Sequence, residues 1–208
     1  MDKGIKEVKQ KNNSNKPMKI GLFFGSFNPI HVGHMVIANY MLEYTDLERI
    51  WFVVSPQNPL KIKSSLLDER QRLHMVNLAI GDSNKYKASN IEFKLPQPSY
   101  TINTLTHLHE KYPQHEFVLI MGSDNLKSFH KWKNYEEILK QYELYVYPRA
   151  NDKADDFEKH RKVKLVNAPL MEISSTAIRS AVKEKRDLRY FVAEPVWEYL
   201  RAMHFYEK

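Results

Sequence analysis

The chain has 208 residues, 42% of them hydrophobic, which is enough to build a packed core rather than a disordered segment. It has no cysteine, so disulfides and thiolate metal sites are excluded, which suits a reducing, cytoplasmic setting. The net charge of +7 invites a nucleic-acid reading. However, +3 of it lies in residues 1–17, where five lysines face only Asp2 and Glu7.

In chain order, residues 1–17 are polar and aperiodic, without the apolar stretch of a secretion signal. They read as a disordered basic tail before a single domain over 18–208. "KIGLFF" follows as a strand, and "VGHMVIANYMLEY" as a helix with Met35, Ala38, Met41 and Leu42 on one face. "RIWFVVS" is a second buried strand. "DERQRLHMVNLAI" is a helix capped by Asp68, with Leu73, Val76 and Ile80 at helical spacing. "ASNIEFK" reads as a short strand, "YTINTLTHLHEKY" as a helix and "EFVLIMG" as a third apolar strand. "NYEEILKQ" is helical, while "ELYVYP" and "KVKLVN" complete the strands. "SSTAIRSAVKEKR" is a serine-capped helix, and "PVWEYLRAMHFY" a last helix with Pro195 in its first turn. Continuously apolar strands separated by helices imply a doubly wound, mostly parallel α/β sheet with helices on both faces. Such sheets bind ligands at the carboxyl ends of their strands.

The stretch "GLFFGSFNPIHVGH" leaves the first strand and opens a helix. Unpaired N–H groups at a helix start carry partial positive charge and attract phosphate. Gly25 allows close approach of the backbone, and Ser26 and Phe27 lie in the turn. His31 and His34, three residues apart, can both donate to phosphate oxygens. Neither the Walker A nor the G-x-G-x-x-G pattern is present, and on its own the loop could be a plain turn with surface histidines. "MEISSTAIRS" opens a late helix with Ser174, Ser175 and Thr176 at its start and Arg179 one turn on, a second place where an anion could be held. His107 and His109 lie two apart on a helix and make a poor zinc pair.

"GSFNPIHVGH" with "ISSTAIR" resembles the nucleotidyltransferase superfamily with its H/T-x-G-H loop. "PSYTINTL" and "GSDNLKSFHKW" narrow the resemblance to the bacterial nicotinate mononucleotide adenylyltransferases. The four blocks stand in family order from Met18 to the C-terminus, and Asn103 replaces an aspartate common in that family. The resemblance implies a Rossmann-like fold that transfers AMP from ATP to nicotinate mononucleotide and releases pyrophosphate, with Mg²⁺ carried by phosphate oxygens. It implies catalytic roles for His31, His34 and Arg179. ATP would meet Gly25, Ser26, Phe27, His31, His34, Gly122, Ser174, Ser175, Thr176 and Arg179. The mononucleotide would meet Lys61, Thr101, Asp124 and Trp132, with Trp132 stacked on its pyridine ring. Each has a plainer reading: Lys61 as a solvated lysine, Thr101 as a helix cap, Asp124 as a helix-start acid and Trp132 as packing. Nicotinamide mononucleotide or pantetheine phosphate are alternative acceptors within the same fold. A basic nucleic-acid binder is the alternative of another class; mixed-charge segments such as "DERQR" and "DKADDFEKHR" count against it. A membrane partner is not expected, and a homo-oligomer is compatible with the sequence.

Overall fold

The computed structural model describes residues 16–56, 66–150 and 156–207. Most of the tail assigned to residues 1–17, and Lys61, therefore lie outside the described residues. The six strands are β1 (Lys19–Gly25), β2 (Arg49–Val54), β3 (Tyr86–Ser89), β4 (Glu116–Gly122), β5 (Glu143–Tyr147) and β6 (Val163–Leu165). They form one sheet in the order β3-β2-β1-β4-β5-β6, and all five strand pairs are parallel. This is the doubly wound arrangement, whose direction of winding reverses between β1 and β4.

Side chains alternate along the strands between two buried clusters. Ile20 and Leu22 of β1, Phe117, Leu119 and Met121 of β4, and Leu144 and Val146 of β5 face one side. Phe23, Val118, Ile120, Tyr145 and Tyr147 face the other. The first side is covered by α3 (Thr101–Lys111), α4 (Ser123–Lys127) and α5 (Tyr135–Gln141), through residues such as Leu105, Leu126 and Ile138. The second is covered by α1 (Val32–Tyr44), α2 (Glu69–Ile80), α6 (Ser175–Lys183) and α7 (Glu194–Ala202), through Met41, Met75, Ile178 and Leu200 among others. With both faces buried the strands need apolar residues at every position, which is the pattern the sequence shows.

Two expected elements differ. The strand assigned to "ASNIEFK" lies earlier, because pairing with β2 ends at Val53 opposite Ser89. Beyond it Ile91–Lys94 forms a 3₁₀ turn that carries Glu92 into the interior. The last helix ends at Ala202 rather than continuing to Tyr206. There the chain turns back through left-handed residues His204 and Tyr206, and the Tyr206 hydroxyl donates to Asn28 Oδ1 at 2.6 Å.

Candidate active site

The β1–β4 ladder closes with Phe23 opposite Ile120, and the glycines two residues further on, Gly25 and Gly122, end their strands at the switch point. Both are crowded. A Cβ on Gly25 would lie 2.8–3.1 Å from atoms of the Phe27 ring, and one on Gly122 would collide with Asp124 Oδ1. Phe27 adopts φ 45°, an uncommon left-handed backbone for a bulky residue, at a cost of about 1–2 kcal/mol. This conformation packs its ring edge-on against Phe23, His34 and Phe52. The Phe27 side chain is thus part of the core, and only its backbone can face a nucleotide.

The loop leads into α1 with His31 at the N-cap, in extended backbone at φ −143°. The two imidazoles stack with centroids 3.7 Å apart. The His31 backbone N–H donates to His34 Nδ1 at 3.2 Å, so in neutral His34 the ring proton sits on Nε2, making that nitrogen a donor. His34 also meets Phe23 edge-on. His31 is buried, 6% exposed, and its Nδ1 has no hydrogen-bond partner. Burial, aided by the nearby Arg149 charge, lowers its pKa to about 4. The reading of these histidines as surface residues is therefore set aside for His31.

The low His31 pKa makes stability depend on pH. Between about pH 6.5 and 4 the unfolded chain takes up a proton that the folded imidazole refuses, so stability falls as pH drops through that window. We expect wild type to lose about 2 kcal/mol more than His31→Asn between pH 7.5 and 5, read from urea midpoints. Parallel losses in the two proteins would refute this assignment.

The late helix docks on the same loop. Arg179 Nη1 donates to the Asn28 carbonyl at 2.8 Å, and Ser175 Oγ donates to the Pro29 carbonyl at 2.9 Å. Arg179 Nη2 reaches Thr176 Oγ1 at 3.3 Å, and Ser174 Oγ caps α6 by accepting from the Ala177 N–H. Two blocks about 150 residues apart in sequence thus meet at one loop. Asn28 gathers the contacts, since its Oδ1 also accepts from the Leu67 N–H at 3.3 Å.

On the β4 side, Asp124 lies in the first turn of α4 and pairs with Arg149 at 3.9 Å. Arg149 was not singled out from the sequence. Its backbone N–H donates to Ser123 Oγ, its Nη2 approaches the Tyr147 hydroxyl at 3.3 Å, and its buried Nε has no hydrogen-bond partner. The one available signal was a basic residue just beyond an apolar strand, at the end where ligands bind. Thr101 is the first residue of α3, with Tyr100 rather than Thr101 at the N-cap. Half-buried Trp132 packs on Phe129 at 5.4 Å, and its neighbour Lys133 lies 4.5 Å from the Tyr100 ring centroid. The segments bearing Thr101 and Trp132 are therefore in contact.

Imidazole, hydroxyl and guanidinium donors gathered at the switch point of a parallel sheet define a nucleotidyltransferase-type α/β domain. The cytidylyltransferase-like family model matches residues 22–181. A Flavobacterium johnsoniae protein named "Probable nicotinate-nucleotide adenylyltransferase" is 58% identical over 193 residues, covering 92% of this chain and 100% of that one. The chain belongs to this nicotinate-nucleotide adenylyltransferase branch of the cytidylyltransferase-like family. A Cytophaga hutchinsonii protein of the same name is 56% identical over 189 residues, covering 91% of this chain and 98% of that one. Among solved structures, Plasmodium falciparum nicotinic acid mononucleotide adenylyltransferase complexed with NaAD superposes with a TM-score of 0.78 at 22% identity. That match covers 91% of this chain and 98% of the other, and it supports the fold.

Proposed function

We propose that this protein transfers AMP from ATP to nicotinate mononucleotide, forming deamido-NAD and pyrophosphate. The observation that carries the reading is the docking of Arg179 and Ser175 on the Asn28–Pro29 loop, which joins two donor-rich helix starts beside the stacked histidines. A phosphate oxygen of the mononucleotide attacks the α-phosphorus of ATP. The bond from that phosphorus to the α,β-bridging oxygen breaks, and pyrophosphate leaves. Positioning and charge stabilisation do the catalysis, so no covalent nucleophile is required.

On the ATP side, the Gly25–Phe27 backbone, Gly122 and the start of α1 approach the nucleotide. His34 Nε2–H donates to the α-phosphate, with His31 beside it held neutral. Ser174, Ser175, Thr176 and Arg179 face the β- and γ-phosphates. Arg149, with its Nε unsatisfied near His31, adds a fixed positive charge. On the acceptor side Thr101 receives the nicotinate carboxylate, Trp132 stacks on the pyridine, Asp124 meets a ribose hydroxyl and Lys61 a phosphate. Magnesium arrives with ATP as part of the substrate and offsets phosphate charge. The crevice donors (imidazole, hydroxyl, guanidinium) suit the anion rather than a bare cation. Among the described residues no helix is long and apolar enough to cross a membrane, and we place the reaction in the cytoplasm.

The test is incubation with ATP, magnesium and either nicotinate or nicotinamide mononucleotide, following pyrophosphate release. A pocket that pairs with a carboxylate leaves donors facing the amide's NH₂, worth roughly 10–100-fold in kcat/KM in favour of the acid. Equal values for the two acceptors would overturn the choice of nicotinate.

A further inference from the structure

Glu92 is a carboxylic acid on the 3₁₀ turn between β3 and α3, and it is 2% exposed. Its two oxygens are taken by hydroxyls from the start of α3. Ser99 Oγ donates to Oε2 at 3.0 Å and Thr104 Oγ1 donates to Oε1 at 2.7 Å. The Ser55 side chain, just past the end of β2, lies beside this carboxyl and favours its charged form. Ser55 in turn donates its backbone N–H to the Gly25 carbonyl at 3.0 Å. Burial pushes the Glu92 carboxyl up, and the hydroxyls of Thr104, Ser55 and Ser99 oppose that shift. One buried group therefore ties the first turn of α3, which carries Thr101, to the strand end beside the phosphate loop.

We propose that Glu92 is a positioning residue that fixes the acceptor-binding wall of the cleft relative to the ATP-binding wall. It touches neither substrate. It acts through Ser99 and Thr104, whose hydroxyls need an acceptor when buried, and through Ser55, which is anchored to β1. A glutamine there would keep the shape but place an NH₂ donor against a hydroxyl donor, loosening the α3 start. Displacement of a substrate-holding group by an ångström or less is enough to cost an order of magnitude or more in rate or affinity.

This inference rests on nicotinate mononucleotide being the acceptor, and the experiment separates the two. In Glu92→Gln the acceptor KM should rise about 10-fold while the ATP KM stays within about two-fold. Backbone amides 101–104 should exchange hydrogen faster without any substrate, and those at the start of α6 should not. Should Glu92→Gln fail to fold, the pair Thr104→Val and Thr104→Ser decides. Valine removes the hydroxyl at equal size and should raise the acceptor KM, whereas serine keeps the hydroxyl and should restore it. A proportional rise in both KM values, unchanged exchange, or identical Val and Ser variants would overturn the positioning role alone. A wild-type enzyme inactive on nicotinate mononucleotide would overturn both readings.

Discussion

Replacing His34 with alanine should lower kcat about 10²–10³-fold, the usual loss when one donor to a transition-state oxyanion is removed. The size of the effect follows from how rigidly the ring is held. Its Nδ1 accepts the His31 backbone N–H, its face stacks on His31, and its flanks meet Phe23 and Phe27 edge-on. A ring fixed on three sides directs Nε2–H without reorganising as negative charge builds on the transferring phosphoryl group. The same variant leaves the His31 N–H without its acceptor, costing about 1 kcal/mol of stability. His34→Asn separates the two effects. Its Oδ1 can take over the bond to the His31 N–H, restoring the melting temperature, while its short amide does not replace Nε2, so turnover stays low. Steady-state kinetics beside thermal unfolding reads both. Turnover of His34→Ala within a factor of two of wild type would remove His34 from the mechanism.

What the sequence made legible was local. Apolar strands, the β1–α1 turn, the Asp68 and Ser174 caps and the helix-opening Pro195 each announce themselves within a few residues. The "GSFNPIHVGH" and "ISSTAIR" blocks were legible as motifs, and the resemblance joined them before the geometry brought them into contact. The less legible residues are those whose meaning is set by distant partners. Asn28 sits in plain sight in "GSFNPI", yet its work is to receive Leu67, Arg179 and Tyr206 from three other parts of the chain. Glu92 lay within an expected strand and is instead the acceptor for hydroxyls up to twelve residues later. Arg149 follows a strand as one of many basic residues, and only the sheet order places it over the switch point. Arg72 is the sharpest case, because "DERQR" reads only as a mixed-charge helix start and the structure buries this arginine completely.

That burial leads to the largest expected effect on stability. Arg72 is 0% exposed and spends its guanidinium on main-chain carbonyls. Nε donates to Leu67 at 2.8 Å, Nη1 to Ser26 at 2.6 Å and Ser55 at 2.8 Å, and Nη2 to Pro56 at 2.9 Å. A planar fork can serve carbonyls spread around its rim, whereas an ammonium offers its donors from one point. Arg72→Lys keeps the charge but, with its donors fanning from one point, should leave two of these part-buried carbonyls unpaired, at about 1–3 kcal/mol each. A loss of about 3–4 kcal/mol in a chain of this size lowers the melting temperature by roughly 10 °C. Ser26 belongs to the β1–α1 loop proposed to hold phosphate, and Ser55 holds the Gly25 carbonyl. The folded fraction of the variant should therefore lose kcat/KM for both substrates together. This signature differs from that of His34→Ala, where turnover collapses and stability falls by only about 1 kcal/mol. A melting temperature of Arg72→Lys within two or three degrees of wild type would show that charge alone, not the fork, secures the loop. In that case the rigidity credited to the β1–α1 loop backbone would have to come from Asn28 and its three distant donors instead.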